Sequence, residues 1–164
     1  MRTLPVARLT ALLAVASIVT GCSASNSGGS SPTPPLQMRL VTSSADGPCT
    51  APPLTSQGPG SACDRAGTAT YKLGESLGVL TPASVTRGQD GQSVVVELDK
   101  ADAGTLGDVT GKALEKQLAI LLDGKVLTAP LVKAPLTSGN LSFTFGSAAE
   151  TEKVATELGA SPTP

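Results

Sequence analysis

Histidine and tryptophan are absent from this sequence of 164 residues, and its only aromatic residues are Tyr71, Phe143 and Phe145. Without histidine, the Ser-His-Asp and Cys-His arrangements of nucleophilic catalysis cannot be built. The sequence also has no Cys-x-x-Cys pair, which together with the lack of histidine argues against a zinc site. We therefore predict that the protein is not an enzyme and has no catalytic residues, no metal and no small-molecule cofactor.

Charge is sparse as well. Charged residues make up 15% of the sequence, the net charge is −1, and neither sign occurs in a run. Nucleic-acid binding and adsorption to an anionic membrane both depend on clustered basic residues. We expect neither. After the first 22 residues, no apolar run approaches the roughly 20 residues that a membrane-spanning helix needs.

The first 22 residues have the layout of a secretory signal. Arg2 and Arg8 form a positive segment, residues 9–20 are almost wholly apolar and uncharged, and small residues then lead to Cys22. The ending Val-Thr-Gly-Cys resembles the lipobox of bacterial lipoproteins, in which the cysteine sulfur receives a diacylglyceryl group before cleavage. The resemblance implies an acylated Cys22 (palmitate being a typical chain) on the extracytoplasmic face of the cell membrane. An ordinary signal peptide that contains a cysteine by chance is the alternative.

The rest of the chain is predicted to contain one domain. We assign residues 1–21 to the signal peptide, 22–35 to the lipidated cysteine and a flexible, disordered Ser/Gly/Pro tether, 36–160 to the domain and 161–164 to a polar tail. Membrane lipid attached at Cys22 would be the only anchor. Cys49 and Cys63 remain as an even pair in an exported chain, which predicts a disulfide that closes an irregular, proline-rich loop.

Alternation of apolar and polar residues predicts strands over residues 36–42, 70–73 (ending at Gly74), 83–87, 93–98 and 140–145. Residues 119–122 and 125–128 flank Asp123 and Gly124, a pair that favours a two-residue type I′ hairpin. Helices are predicted over residues 101–118, capped by Asp99 or Asp102, and from a capping box at Ser147 to Gly159. This order predicts an α+β fold, with an antiparallel sheet and two helices packed on one face.

From about Tyr71 to Gly159 the sequence resembles the P1 head region of SecD and SecDF, accessory subunits of the protein-export machinery. The segment Leu118-Ala-Ile-Leu-Leu-Asp-Gly-Lys-Val-Leu-Thr-Ala-Pro130 is similar to that family's LAIVLDGKVxSAP motif, which makes Asp123, Gly124, Ala129 and Pro130 motif positions with a structural role. Tyr71-Lys-Leu-Gly74 resembles its YxLG entry. The preceding cysteine loop is similar to that of some actinobacterial SecD chains, which indicates an actinobacterial source. The resemblance divides the domain into residues 36–68, the first strand and cysteine loop, and a core of 69–160.

This resemblance implies a passive surface outside the membrane that meets extended polypeptide. It does not imply a motor, because the transmembrane helices of SecD have no counterpart here. Our leading hypothesis is a non-enzymatic binding module whose partners are exported polypeptides or proteins of the export apparatus or cell envelope, contacted through exposed strand edges. A structural or antigenic envelope lipoprotein with no dedicated ligand is the alternative.

An enzyme is the opposing class, and it would need a pair of carboxylates. Asp90, Glu97 and Asp99 are the candidates, because two carboxyl groups can share general acid and base roles. Their positions in or beside a predicted turn favour the interpretation that they are solvated charges at hairpin ends. Asp123 is likewise explained by the turn that Asp-Gly favours.

Overall fold

The computed structural model describes residues 33–160. This part of the chain forms the strands β1 Leu36–Asp46, β2 Gly60–Cys63, β3 Ala69–Leu80, β4 Pro82–Arg87, β5 Ser93–Leu98, β6 Leu118–Leu122, β7 Lys125–Thr128 and β8 Asn140–Thr144. Its helices are α1 Lys100–Lys112 and α2 Ala148–Glu157. The predicted α+β class is confirmed. The predicted signal peptide, Cys22, most of the tether and the tail 161–164 lie outside the described residues.

Five strands form an antiparallel sheet in the order β2-β3-β1-β6-β7. The two strands at its edges approach each other, because Asp64, directly after β2, forms a bridge with Val126 of β7. The sheet therefore curls toward a closed form, and β7 is partly covered on its outer side.

The remaining strands form a second antiparallel sheet in the order β4-β5-β8, so the predicted strands are divided between two sheets. Only Thr81 separates β3 from β4. The Thr81 backbone N–H donates to Asp102 Oδ2 of α1 at 2.8 Å, not to a neighbouring strand. This break in the ladder marks where the chain passes from the first sheet to the second.

One main core joins both sheets and both helices. Its fully buried side chains come from β1, β3, β5, β6, both helices and the C-cap residue of each helix: Leu36, Met38, Leu80, Val94, Val96, Leu106, Ala113, Leu122, Val154 and Leu158. Leu141 and Phe143 of β8 and Phe145, which follows the strand, are buried in the same core. Aliphatic residues thus supply most of this core, as the shortage of aromatic residues requires.

The curled sheet encloses a second core on its other face. Alternate residues of β6 point to opposite faces, so Ile120 lies in the main core while Ala119 and Leu121 lie in the second. Residues 47–59, which connect β1 to β2 and which we call the strap, cross this second core. Leu54 of the strap packs against it.

The structure corrects the predicted end of α1. The helix ends at Lys112 instead of continuing to Leu118, and Leu114, within the predicted range, is 43% exposed. Glu115 has a φ of 59°, which no helix continues through. Leu118 instead pairs with Leu40 in the sheet and is buried there. Burial in the sheet has overridden the helical periodicity.

The predicted strand ending at Gly74 is also too short. β3 runs on through Gly74 and Gly78 to Leu80. Glycine at position 78 allows close packing, since a Cβ there would lie 3.1 Å from Thr105 Cγ2 and 3.4 Å from Val109 Cγ2 of α1. β2, which no sequence pattern predicted, pairs with β3 along the edge of the sheet.

Local turn and cap signals were more reliable. The hairpin β4–β5 spans the predicted turn at residues 88–91. Asp99 is the N-cap of α1, accepting from the Asp102 backbone N–H at 2.8 Å. Ser147 is the N-cap of α2, accepting from the Glu150 backbone N–H at 3.2 Å, and Gly159 follows the helix with a φ of 85°.

Candidate functional site

The two cysteines of the predicted pair form a disulfide, with Cα atoms 5.5 Å apart. Cys49 lies in the strap, whereas Cys63 is the last residue of β2 and is 6% exposed. The bond therefore fastens the strap to an edge strand instead of closing a wholly irregular loop. The Cys49 backbone N–H donates to Gly67 O at 3.0 Å and holds the same segment in place.

Asp123 and Gly124 lie between β6 and β7, with φ values of 50° and 74°. Positive φ at both central residues is the requirement of a type I′ turn. Gly124 O accepts from the Leu54 backbone N–H at 2.9 Å, so the turn also contacts the strap. That Asp123 has no catalytic role stays a prediction.

Ala129 and Pro130 directly follow β7. Ala129 packs against the second core, and Pro130 O accepts from the Leu118 backbone N–H at 2.9 Å. The bond to Pro130 thereby continues the pairing of β6 with the segment that follows β7. Pro130 also lines a groove described below.

The three candidate carboxylates each accept hydrogen bonds within the fold. Asp90 accepts from the Gln92 and Ser93 backbone N–H groups at 2.9 and 3.0 Å, and these bonds hold its pKa below the ordinary value. Glu97, near the opposite end of β5, accepts from the Ser84 hydroxyl at 2.8 Å. Asp99 caps α1. Each group thus has a turn, strand or cap partner. Across residues 33–160, no three potential metal-ligating side chains of His, Cys, Asp or Glu form a cluster.

Arg39 of β1 is a buried charge that sequence reasoning missed. Its side chain is fully buried, and burial lowers the pKa of its guanidinium. Nη1 donates to Gly58 O at 2.7 Å and to Gly74 O at 2.9 Å, Nη2 donates to Ser56 O, and Nε donates to Gln37 Oε1. None of these acceptors is a carboxylate. The buried guanidinium therefore links the strap to β3 through these hydrogen bonds.

A free strand edge is the second feature that the sequence did not disclose. Within the described residues 33–160, β8 pairs only with β5. Phe145 N–H donates to Gln92 O and Leu98 N–H donates to Gly139 O, both at 2.8 Å, so the odd-numbered residues of this segment direct their backbone toward β5. The backbone groups of Ser142 and Thr144 consequently point outward, and within residues 33–160 they have no partner.

A groove of about 310 Å³ adjoins this edge, between β8 and the β6–β7 side of the first sheet. No residue that lines it is charged: Ile120, Leu127, Thr128, Pro130, Leu136, Asn140, Leu141, Ser142, Phe143, Thr144 and Phe145. Leu136 is 42% exposed on its wall. The alternation at residues 141–145 predicted the strand, but strand order depends on distant residues, so the edge could not be predicted from it.

Comparison with known proteins identifies relatives. The SecD subunit of the protein translocase from Acidaminococcus fermentans is 42% identical over 66 residues, a match that covers 40% of this chain and 16% of that protein. SecD from Treponema pallidum is 34% identical over 77 residues, covering 46% of this chain and 13% of that protein. The chain thus spans less than a fifth of the length of these relatives.

Solved structures show the same fold. SecDF in its super-membrane-facing form has a TM-score of 0.52 and 25% identity, covering 81% of this chain and 20% of that one. A second structure, of a membrane component SecDF that enhances protein export, has a TM-score of 0.52 and 24% identity, covering 81% of this chain and 66% of that one. These likenesses cover 81% of the chain, which is more than the part from Gly74 onward, so they include strands before Gly74.

Residues 74–163, more than half of the chain, match the family described as SecDF, P1 head subdomain. The match contains the hairpin β6–β7, the free edge β8 and both helices. Among residues 33–160 no helix is long and apolar enough to cross a membrane. The chain belongs to the SecDF P1 head subdomain family.

Proposed function

We propose that this protein is a lipid-anchored, extracytoplasmic module of protein export that binds polypeptide without catalysing a reaction. The observation that carries the proposal is the match of residues 74–163 to the SecDF P1 head. A relative with the same fold is a membrane component that enhances protein export. A role in export is therefore supported by membership of the family.

The anchor in this proposal is Cys22, acylated after export. Its support is the run of Arg2, Arg8, the apolar residues 9–20 and the Val-Thr-Gly-Cys ending. The chain would then consist of the signal peptide 1–21, the lipidated tether 22–35, the domain 36–160 and the tail 161–164.

Binding without catalysis is supported by the hydrogen bonds that the candidate carboxylates form within the fold. Asp90, Glu97 and Asp99 each accept hydrogen bonds from a turn, a strand or a helix N-terminus, which leaves them as structural acceptors. The sequence supplies no histidine as a general base. By contrast, the unpaired backbone N–H and C=O groups of β8 can form the main-chain hydrogen bonds by which an added polypeptide strand binds.

The anchor is tested by replacing Cys22 with alanine in the native cell. We expect loss of labelling by a fatty-acid probe, with either uncleaved precursor or released protein, because no acyl chain can attach to alanine. Cys49→Ala is the matched control and should label as wild type does. Unchanged labelling and fractionation of Cys22→Ala would refute the anchor.

Export association is tested in the same cells by crosslinking. Capture of translocase subunits or of polypeptides still carrying signal sequences is the expected result. Capture of mature envelope components alone would instead favour the structural lipoprotein without a dedicated ligand, and it would refute the proposal.

A further inference from the structure

β8 lacks the features that normally protect a free strand edge. Such edges are usually blunted by charged side chains, by proline or by bulges. The sequence of β8, Asn-Leu-Ser-Phe-Thr, has no charge and no proline, and its register with β5 has no shift. Its outward backbone groups at Ser142 and Thr144 therefore form a regular template.

We propose that an extended, uncharged polypeptide segment adds to the second sheet as a strand beside β8, with alternate apolar side chains in the adjoining groove. This inference rests on the proposed function and specifies the class of polypeptide bound. The segment would satisfy the N–H and C=O groups of Ser142 and Thr144, extending the order β4-β5-β8 by one strand.

The backbone at this edge selects a polypeptide over a lipid or a small apolar molecule. The outward-pointing backbone N–H and C=O groups recur at every second residue, about 6.6–6.8 Å apart along a strand. An acyl chain offers no donor or acceptor at any spacing. The groove, at about 310 Å³, is also at the lower end of the range of about 300–1,000 Å³ for ligand pockets, which suits a few side chains better than a lipid.

The lining of the groove determines the side chains preferred. An added strand directs alternate residues to the side of Leu141, Phe143 and Phe145, and the others to the exposed side of Ser142 and Thr144. A charged residue placed in the groove would lose water without gaining a partner, because the lining has no charge. Apolar residues at positions i and i+2 are therefore required, whereas the intervening positions are free to vary.

Segments of this kind are buried in most folded proteins and exposed before folding. Recognition through backbone groups and apolar alternation is independent of a particular sequence, which matches a partner class as varied as exported chains. A second copy of this chain could also pair β8 with β8, and the test below distinguishes that occupant.

The backbone contact is tested with Ser142→Pro in the full chain, purified in detergent. The proline removes the outward N–H at this position, and proline is tolerated at strand edges. The probe is a fluorescent peptide of alternating valine and threonine. We expect Ser142→Pro to weaken its binding about tenfold or more, while Ser142→Ala, which keeps the amide, binds as wild type does.

The groove is tested with Leu136→Asp, matched by Leu131→Asp. Both leucines are exposed, at 42% and 46%, so neither change should unfold the domain, but only Leu136 lines the groove. We expect Leu136→Asp to weaken binding of the valine-threonine peptide at least tenfold, and Leu131→Asp to leave it within about twofold of wild type.

Two further probes keep the test independent of protein variants. A peptide in which aspartate replaces the valines should not bind wild type, and a peptide N-methylated on alternate residues should bind poorly. Equal binding of all peptides, or equal binding by Ser142→Pro and Ser142→Ala, would overturn the inference while leaving the export association to the crosslinking result. A dimer of wild type that Ser142→Pro abolishes, with no peptide binding, would also overturn it in favour of a second copy.

Discussion

Gly124 is constrained both by its positive φ and by the nearby strap. Comparison with Gly91 separates the two effects. Gly124 has a φ of 74°, and a Cβ there would lie 2.6 Å from Leu54 N and 2.9 Å from Pro53 Cβ. Gly91, in the β4–β5 turn, has a similar φ of 67° but nothing within 4 Å of a Cβ. Backbone strain should therefore act on both positions, and collision with the strap on Gly124 alone.

We expect Gly91→Ala to lower the free energy of unfolding by about 1–2 kcal/mol, the strain of an L-residue in the left-handed region. Gly124→Ala should lose about 1–3 kcal/mol more, because the strap must move. Urea unfolding of both variants beside wild type measures the difference. Equal losses for the two variants would mean that the strap does not press on the turn.

Residue-scale signals of this kind were the most predictable part of the fold. Asp123-Gly124 and the turn before β5 depend on the conformational preferences of adjacent residues, so the sequence could disclose them. Arg39 could not be recognised in the same way. Its acceptors at Ser56, Gly58 and Gly74 lie 17 to 35 residues away along the chain, and in the sequence it reads as an outward polar residue of an alternating strand.

At the scale of elements, the strap is held to the sheet by hydrogen bonds to its main-chain groups as well as by the disulfide. Ser76 N–H donates to Gln57 O at 2.9 Å, Leu54 N–H donates to Gly124 O at 2.9 Å, and Arg39 binds two strap carbonyls. The apolar contribution comes from Leu54. A proline-rich segment with so little apolar surface needs a central donor, and we assign that role to Arg39.

We expect Arg39→Met to lower the free energy of unfolding by about 2–4 kcal/mol, because buried carbonyls lose their donors. Hydrogen exchange at the Ser76 and Leu54 amides should quicken, while the Val96 amide on the second sheet stays protected. Lys125→Met removes an exposed cation on β7 and should stay within about 0.5 kcal/mol of wild type. Unchanged exchange at the two strap amides in Arg39→Met would contradict this role.

The elements that sequence patterns misjudged have a common cause. β3 was expected to end at Gly74, and α1 was expected to reach Leu118. Both boundaries are set by partners distant in sequence: Gly78 lies against α1, and Leu118 pairs with Leu40 of β1. Periodicity reports which residues prefer burial, but it does not report which element buries them. The same limit hid the free edge of β8.

At the scale of the whole molecule, the two sheets share a core, so neither is an independent unit. β1, β3 and β6 contribute side chains to the main core together with β5, β8 and both helices. The second core is smaller, and the strap and the Cys49–Cys63 bond close it. Because β6 separates the two cores and is buried on both faces, loss of one core should destabilise the other.

This arrangement predicts a single cooperative transition, even without the disulfide. Tyr71 is the only tyrosine of the chain and packs against the second core, so its fluorescence reports that region, while far-UV circular dichroism reports both sheets and the helices.

The double variant Cys49→Ala, Cys63→Ala should lose about 3 kcal/mol of its free energy of unfolding, the value expected for a loop of this length. Both signals should shift together in urea, as they do in a two-state system. Cys22→Ala, which leaves the bridge intact, serves as the control and should unfold as wild type does. If Tyr71 fluorescence changed at lower urea than the dichroism in the double variant, the second core would be a separable unit that the disulfide holds in place, and the shared-core account would be wrong.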